Sequence, residues 1–127
     1  MKVIAAINGS IAAESMVFYA LKYAQVQNLP LVLLHIKNKK DDLDDVEASI
    51  KRISTFAESQ DVKIETLLLQ GSPKKEIKKL LSSIYVDIIF CSTRKRKSFI
   101  ANSFSELLIK MKLYADIAVV RIVDINN

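Results

Sequence analysis

The chain has 127 residues, half of them apolar and 26% charged, the composition of a globular domain rather than a disordered segment. Its two glycines, Gly9 and Gly71, exclude the G-x-G-x-x-G dinucleotide turn and the G-x-x-x-x-G-K-[ST] phosphate loop, which need three and two of them at fixed short spacing. One cysteine, Cys91, and one histidine, His35, exclude a disulfide framework and the usual Cys/His zinc sites.

Apolar runs stop at about six residues where a membrane span needs about 20, and no export segment is evident. A cytoplasmic, soluble, single domain over 1–127 is expected, with no membrane partner and no metal. The net charge of +5 is unevenly spread. Asp41, Asp42, Asp44, Asp45 and Glu47 form an acidic cluster, and Arg94, Lys95, Arg96 and Lys97 a basic one. The basic balance permits anionic partners, although an ordinary solvated surface has the same composition.

Short apolar runs alternate with longer segments of helical period, the pattern of an α/β domain with a parallel sheet. Lys2 to Ile7 reads as a central strand, apolar on both faces. Ala12, Ala13, Met16, Val17, Ala20, Leu21 and Ala24 predict a helix from Ile11 to Gln27, stopped by Asn28-Leu29-Pro30. Leu31 to Lys37 is a second buried strand. Leu43, Val46, Ile50, Ile53 and Ala57 mark an amphipathic helix.

Val62 to Gln70 is a third strand whose first half alternates, as at a sheet edge. Ser72 is placed as the N-cap and Pro73 at the first position of a short helix to about Ser83, burying Ile77, Leu80 and Leu81. Asp87 to Cys91 is a fourth strand, Phe104 to Leu113 a fourth helix, and Ile117 to Val123 a fifth strand. The order is βαβαβαβαβ, with right-handed crossovers expected.

In an open parallel sheet, ligands sit beyond the carboxyl ends of the strands, where the winding reverses. Two loops qualify: Asn8-Gly9-Ser10 after strand one, and Ser92 to Asn102 after strand four. Both lead into helix N-termini, which offer free N–H groups to an anion.

VIAAINGS followed by AESMVFYALKYAQ resembles the opening strand, A-x-D-G-S turn and first helix of the universal stress protein family. LVLLHI is similar to that family's second strand, LLLQGSPKKEI to its G-x-P turn, and DIIFCSTR, NSFSELL and YADIAVVRIV to its last βαβ unit. The resemblance covers nearly the whole chain outside about 38–61. It implies a three-layer α/β sandwich around a five-stranded, mainly parallel sheet of order 3-2-1-4-5, of the adenine nucleotide alpha hydrolase-like, Rossmann-like type.

ATP-binding members carry G-x2-G-x9-G-[ST] after strand four and an Asp after strand one that holds the ribose. Here the Asp position is Asn8, and the glycine positions are Ser92, Lys95 and Asn102, followed by Ser103. The loop is about three residues short. Side chains at glycine positions restrict close approach to phosphates, and Asn lacks the charge-assisted bond of Asp. The pattern resembles the family's non-nucleotide-binding, universal stress protein A branch. If a nucleotide site is retained, the resemblance assigns it to Asn8, Gly9, Ser10, Ile36, Ser92, Lys95, Asn102 and Ser103.

Several residues admit a plainer role. Ser103 opens Ser103-Phe104-Ser105-Glu106, a capping box that needs no ligand, and Asn8-Gly9-Ser10 can serve as turn and N-cap alone. Arg94 to Lys97 are candidate phosphate ligands but lack interleaved aromatics for base stacking, so no specific nucleic-acid binding is expected. His35 and Cys91 read as buried packing residues, with no nucleophile–base spacing between them. Asp41-Asp42 and Asp44-Asp45 read as charge at a helix N-terminus rather than as metal ligands.

The expected function is a non-catalytic regulatory or interaction module of the stress response, without a cofactor. The alternative is a sensor of ATP or another nucleotide. A protein partner is possible. In the resembled family the last strand pairs with its twin, which implies a homodimer through Ile117, Val119, Val120 and Ile122 and removes an apolar edge.

Overall fold

Residues 1–37, 43–94, 107–109, 111 and 115–122 are described by the computed structural model. Five strands form one sheet of order β3-β2-β1-β4-β5: β1 (Lys2–Ala6), β2 (Leu31–Lys37), β3 (Ile64–Gln70), β4 (Val86–Arg94) and β5 (Asp116–Ile122). Every pairing is parallel. β1 lies at the centre because it is apolar on both faces: Val3, Ile4 and Ala5 are fully buried.

The alternation of strand side chains divides the core into two layers. Val3, Ala5, Leu31, Leu33 and Phe90 pack with α1 (Ile11–Gln27) and α2 (Leu43–Ser59). Ile4, Val32, Leu34, Ile89 and Cys91 pack on the other face with α3 (Pro73–Ser83) and with Leu108, one of the helical residues 107–109. The sheet is thus covered on both sides, as an all-parallel sheet must be. Of the fourth helix predicted over Phe104 to Leu113, residues 107–109 are helical and Met111 lies in a turn; the rest lies outside the described residues.

The helix ends follow local chemistry. Ser10 caps α1, its hydroxyl accepting from the Ala13 N–H at 3.1 Å. Asn28 ends it in the left-handed conformation (φ 56°), and the Leu29 N–H returns to the Ala24 carbonyl at 2.9 Å. Ser72 holds the N-cap position of α3, but its side chain makes no capping bond; Pro73 alone presets the first turn.

Against the sequence reading, β1 stops one residue earlier, at Ala6, while β4 and β5 each start one residue earlier, at Val86 and Asp116. Two larger differences have a structural cause. β3 starts at Ile64 because α2 closes through left-handed Asp61 (φ 56°), with the Val62 N–H bonded to the Ala57 carbonyl. β4 extends past Cys91 to Arg94, because Ser92, Thr93 and Arg94 pair with Val120, Arg121 and Ile122 of β5.

α1 and α2 are tied by one polar contact over the apolar layer. Glu14 accepts from the buried Ser49 hydroxyl at 2.8 Å and from Arg52 at 2.7 Å. The Arg52 bond holds the Glu14 carboxyl below its ordinary value, with Ser49 contributing and burial opposing. A carboxyl depressed in the fold stabilises it above the unfolded value of 4.5 and loses that contribution as pH falls through the folded value. Glu14→Gln should therefore cost about 1–2 kcal/mol at neutral pH. Urea titrations from neutral to acid pH should show the wild-type and variant curves converging below the unfolded carboxyl value. A constant difference down to strongly acid pH would refute this role.

Candidate functional site

The strand order places the reversal of winding between β1 and β4, and the candidate residues at adjoining strand ends. Asn8, Gly9 and Ser10 follow β1, Ile36 lies near the end of β2, and Ser92 and Arg94 near the end of β4. Topology therefore gathers these six. Lys95, Arg96, Lys97, Asn102 and Ser103, with the proposed capping box, lie outside the described residues.

The turn after β1 is closed on itself. The Asn8 side-chain oxygen accepts the Ser10 N–H at 2.9 Å, an Asx turn. Ser10 then turns its own hydroxyl to Ala13. Gly9 between them has φ +84°, where L side chains are rarely found, and a Cβ there would lie 2.9 Å from Asp45 Cβ and 3.1 Å from the Val46 nitrogen. Gly9 is therefore required by the packing of α2 on the turn, independently of any ligand.

His35 fixes the approach to this turn. Its ring is 5% exposed, and Nδ1 lies 2.8 Å from the Ile7 carbonyl oxygen. A carbonyl only accepts, so Nδ1–H donates. The Ile7 N–H in turn donates to the Leu34 carbonyl at 2.8 Å. The histidine read as a packing residue is thus also what holds the chain leaving β1.

Ile36 is half-buried against the α3 layer of the core. Ser92, expected as the first residue of a loop, is instead a strand residue opposite Val120. The register of β4 with β5 carries pairing three residues beyond the point where the apolar run ends. A serine in a paired strand has extended backbone and does not supply the glycine conformations of a phosphate-cradling turn.

The acidic first turn of α2 is the feature local spacing did not place. Asp44 and Asp45 begin that helix, and Asp45 packs on Gly9. Parallel topology contains the signal, because α1 and α2 both start from carboxyl ends of neighbouring strands. The result brings a carboxylate-bearing side chain against the turn, where like charge opposes a polyphosphate. Among the described residues, no group of three or more His, Cys, Asp or Glu could hold a metal ion.

Cys91 is 1% exposed, and its thiol lies 3.7 Å from the Ala118 carbonyl oxygen. Burial pushes its pKa up to about 11, which leaves little thiolate at neutral pH. It belongs to the α3 layer, whereas His35 bonds to the chain leaving β1. Neither supplies the other with a nucleophile or a base.

The doubly wound sheet with a turn and a strand end meeting at its switch point defines an α/β protein of the Rossmann-like class. The Universal stress protein family matches residues 1–110, and the chain belongs to that family. Among solved structures it is similar to a universal stress protein in complex with cAMP (TM-score 0.76, 17% identity, covering 95% of this chain and 96% of that one). It is also similar to universal stress protein A from Lactobacillus plantarum (TM-score 0.77, 16% identity, 95% and 97% covered). A third likeness is to the Archaeoglobus fulgidus universal stress protein in complex with dAMP (TM-score 0.60, 18% identity, 97% and 98% covered). At these identities the likeness is one of fold. Comparison with curated proteins gives no match. Among the described residues no helix is long and apolar enough to cross a membrane.

Gly9→Ala tests the packing role of the turn. Strain at positive φ together with the Asp45 contact should cost about 1–3 kcal/mol, lowering the melting temperature by roughly 5–15 °C. Calorimetry of the ligand-free protein checks it, and an unchanged melt would contradict the geometry.

Proposed function

We propose that the chain is a non-catalytic regulatory module of the stress response, acting as a homodimer whose switch-point cleft does not hold ATP at useful affinity. The observation that carries this reading is the self-closed turn after β1. Where ATP-binding relatives are expected to place a carboxylate for the ribose, Asn8 has an amide whose oxygen already accepts the Ser10 N–H. The acidic side chain packed on Gly9 and the strand conformation of Ser92 support the same reading.

The dimer is supported by the position of β5 at the edge of the sheet and by Val119, 41% exposed on it. An apolar edge with free backbone groups favours pairing with a second copy. Ile117 and Val120 on the same strand are half-buried, and Ile122 pairs through its backbone with Arg94.

A second reading is favoured by one finding: two of the similar structures hold a mononucleotide, cAMP in one and dAMP in the other. On that reading the cleft takes a monophosphate rather than a triphosphate. Native mass spectrometry and thermal melts separate the possibilities. A dissociation constant of about 10 µM would add about 2.7 kcal/mol at about 1 mM ligand, roughly 8–15 °C in a domain of this size. We expect a dimer mass with no retained nucleotide and no resolvable shift with ATP and Mg²⁺. A shift of several degrees with ATP overturns the main reading. A shift confined to cAMP or dAMP establishes the second, and a purely monomeric mass overturns the dimer.

A further inference from the structure

α3 lies on the face of the sheet opposite α2, and the two helices carry opposite charge. α2 bears Asp44, Asp45, Glu47 and Glu58 against Lys51 and Arg52. α3 bears Lys74, Lys75, Lys78 and Lys79 against Glu76 alone. All four lysines are exposed, and among the described residues none of them is in an ion pair. The single acid is turned toward the start of the helix, its carboxylate oxygen 3.3 Å from where a Cβ on Gly71 would lie.

At about 100° per residue the four lysines cover about 140° of the helix circumference and about 7.5 Å of its length. Ile77 and Leu80 point the other way and are buried in the core. The lysine face is therefore held outward by the same packing that fixes the helix. Duplex nucleic acid carries one negative charge per about 1.7 Å of axis with both strands counted, so a patch of this length whose long lysines reach both strands across a groove meets at most about four phosphates.

We propose that this lysine face binds the phosphate backbone of duplex nucleic acid without regard to base sequence. Lysine suits this task, since its ammonium is a flexible point charge that needs no fixed partner geometry. A lipid surface fits less well. A helix lying in a bilayer interface needs apolar side chains free to enter it, and here Ile77 and Leu80 are committed to the core. These lysines are separate in sequence from the Arg94 to Lys97 run, and sequence-independent contact requires none of the aromatic stacking which that run lacks.

The test is fluorescence anisotropy of the full chain with two labelled DNA duplexes of unrelated sequence, titrated at several salt concentrations. Four phosphate contacts give a log–log salt slope of about −3.6, equal for both sequences, and about 150-fold weaker binding at about 200 mM than at about 50 mM salt. Lys74→Gln with Lys78→Gln should reduce the slope to about −1.8, and Gln at all four positions should abolish binding. Melting curves of the variants should match wild type, because exposed, unpaired side chains contribute little to stability. Neutralising Arg94, Lys95, Arg96 and Lys97 instead should leave the slope unchanged. Absence of binding at the lowest salt overturns the proposal. So does loss of the slope on neutralising residues 94–97, its retention in the four-lysine variant, or binding to phosphatidylserine vesicles without binding to duplex.

Discussion

The bond from the His35 ring to the Ile7 carbonyl is the contact on which the site's geometry depends. It holds the chain as it leaves the central strand, in the dry layer between the sheet and its first two helices. Beyond it the Asx turn at Asn8, the positive φ of Gly9 and the cap at Ser10 follow in three consecutive residues. α2 then packs on Gly9 through Asp45 and Val46. Each of these contacts has a modest net value of about 1 kcal/mol, but they share atoms and neighbours, so they act together. The turn is thus set by the interior of the protein and does not wait for a ligand to order it.

The same two-layer construction separates the chemistry of the two faces. Helices following β1 and β2 pack on one side, with the Glu14–Ser49–Arg52 contact joining them. α3 packs on the other and presents its lysines outward. The described lysine excess of α3 is therefore not a property of the switch-point cleft. The acidic start of α2 lies against the turn there, and the described basic excess lies on a different surface.

Much of the fold was legible in local pattern. The limits of α1 and β2 match the reading residue for residue, because Ser10 and Asn28 are strong local signals and Leu31 to Lys37 is bounded by Pro30. Local pattern failed where pairing decides. Ser92, Thr93 and Arg94 have no apolar signal, yet the register with β5 carries them into β4. Ser72 and Ser10 look alike in sequence, but only Ser10 makes the capping bond, since Pro73 presets the other helix. At the site, Asn8 and Gly9 were read correctly as turn formers. The arrival of Asp45 on Gly9 depends on two helices separated by a strand, which no short spacing encodes. The placement of Lys95, Asn102 and Ser103 lies outside the described residues.

Amide hydrogen exchange measured by NMR on the ligand-free protein tests the account most directly. If the turn is set from within, the Ser10 and Ala13 amides are protected without nucleotide, and saturating ATP with Mg²⁺ leaves their exchange rates unchanged. Rapid exchange at both amides in the free protein, slowed by ATP, would contradict the account and make the turn a ligand-ordered site.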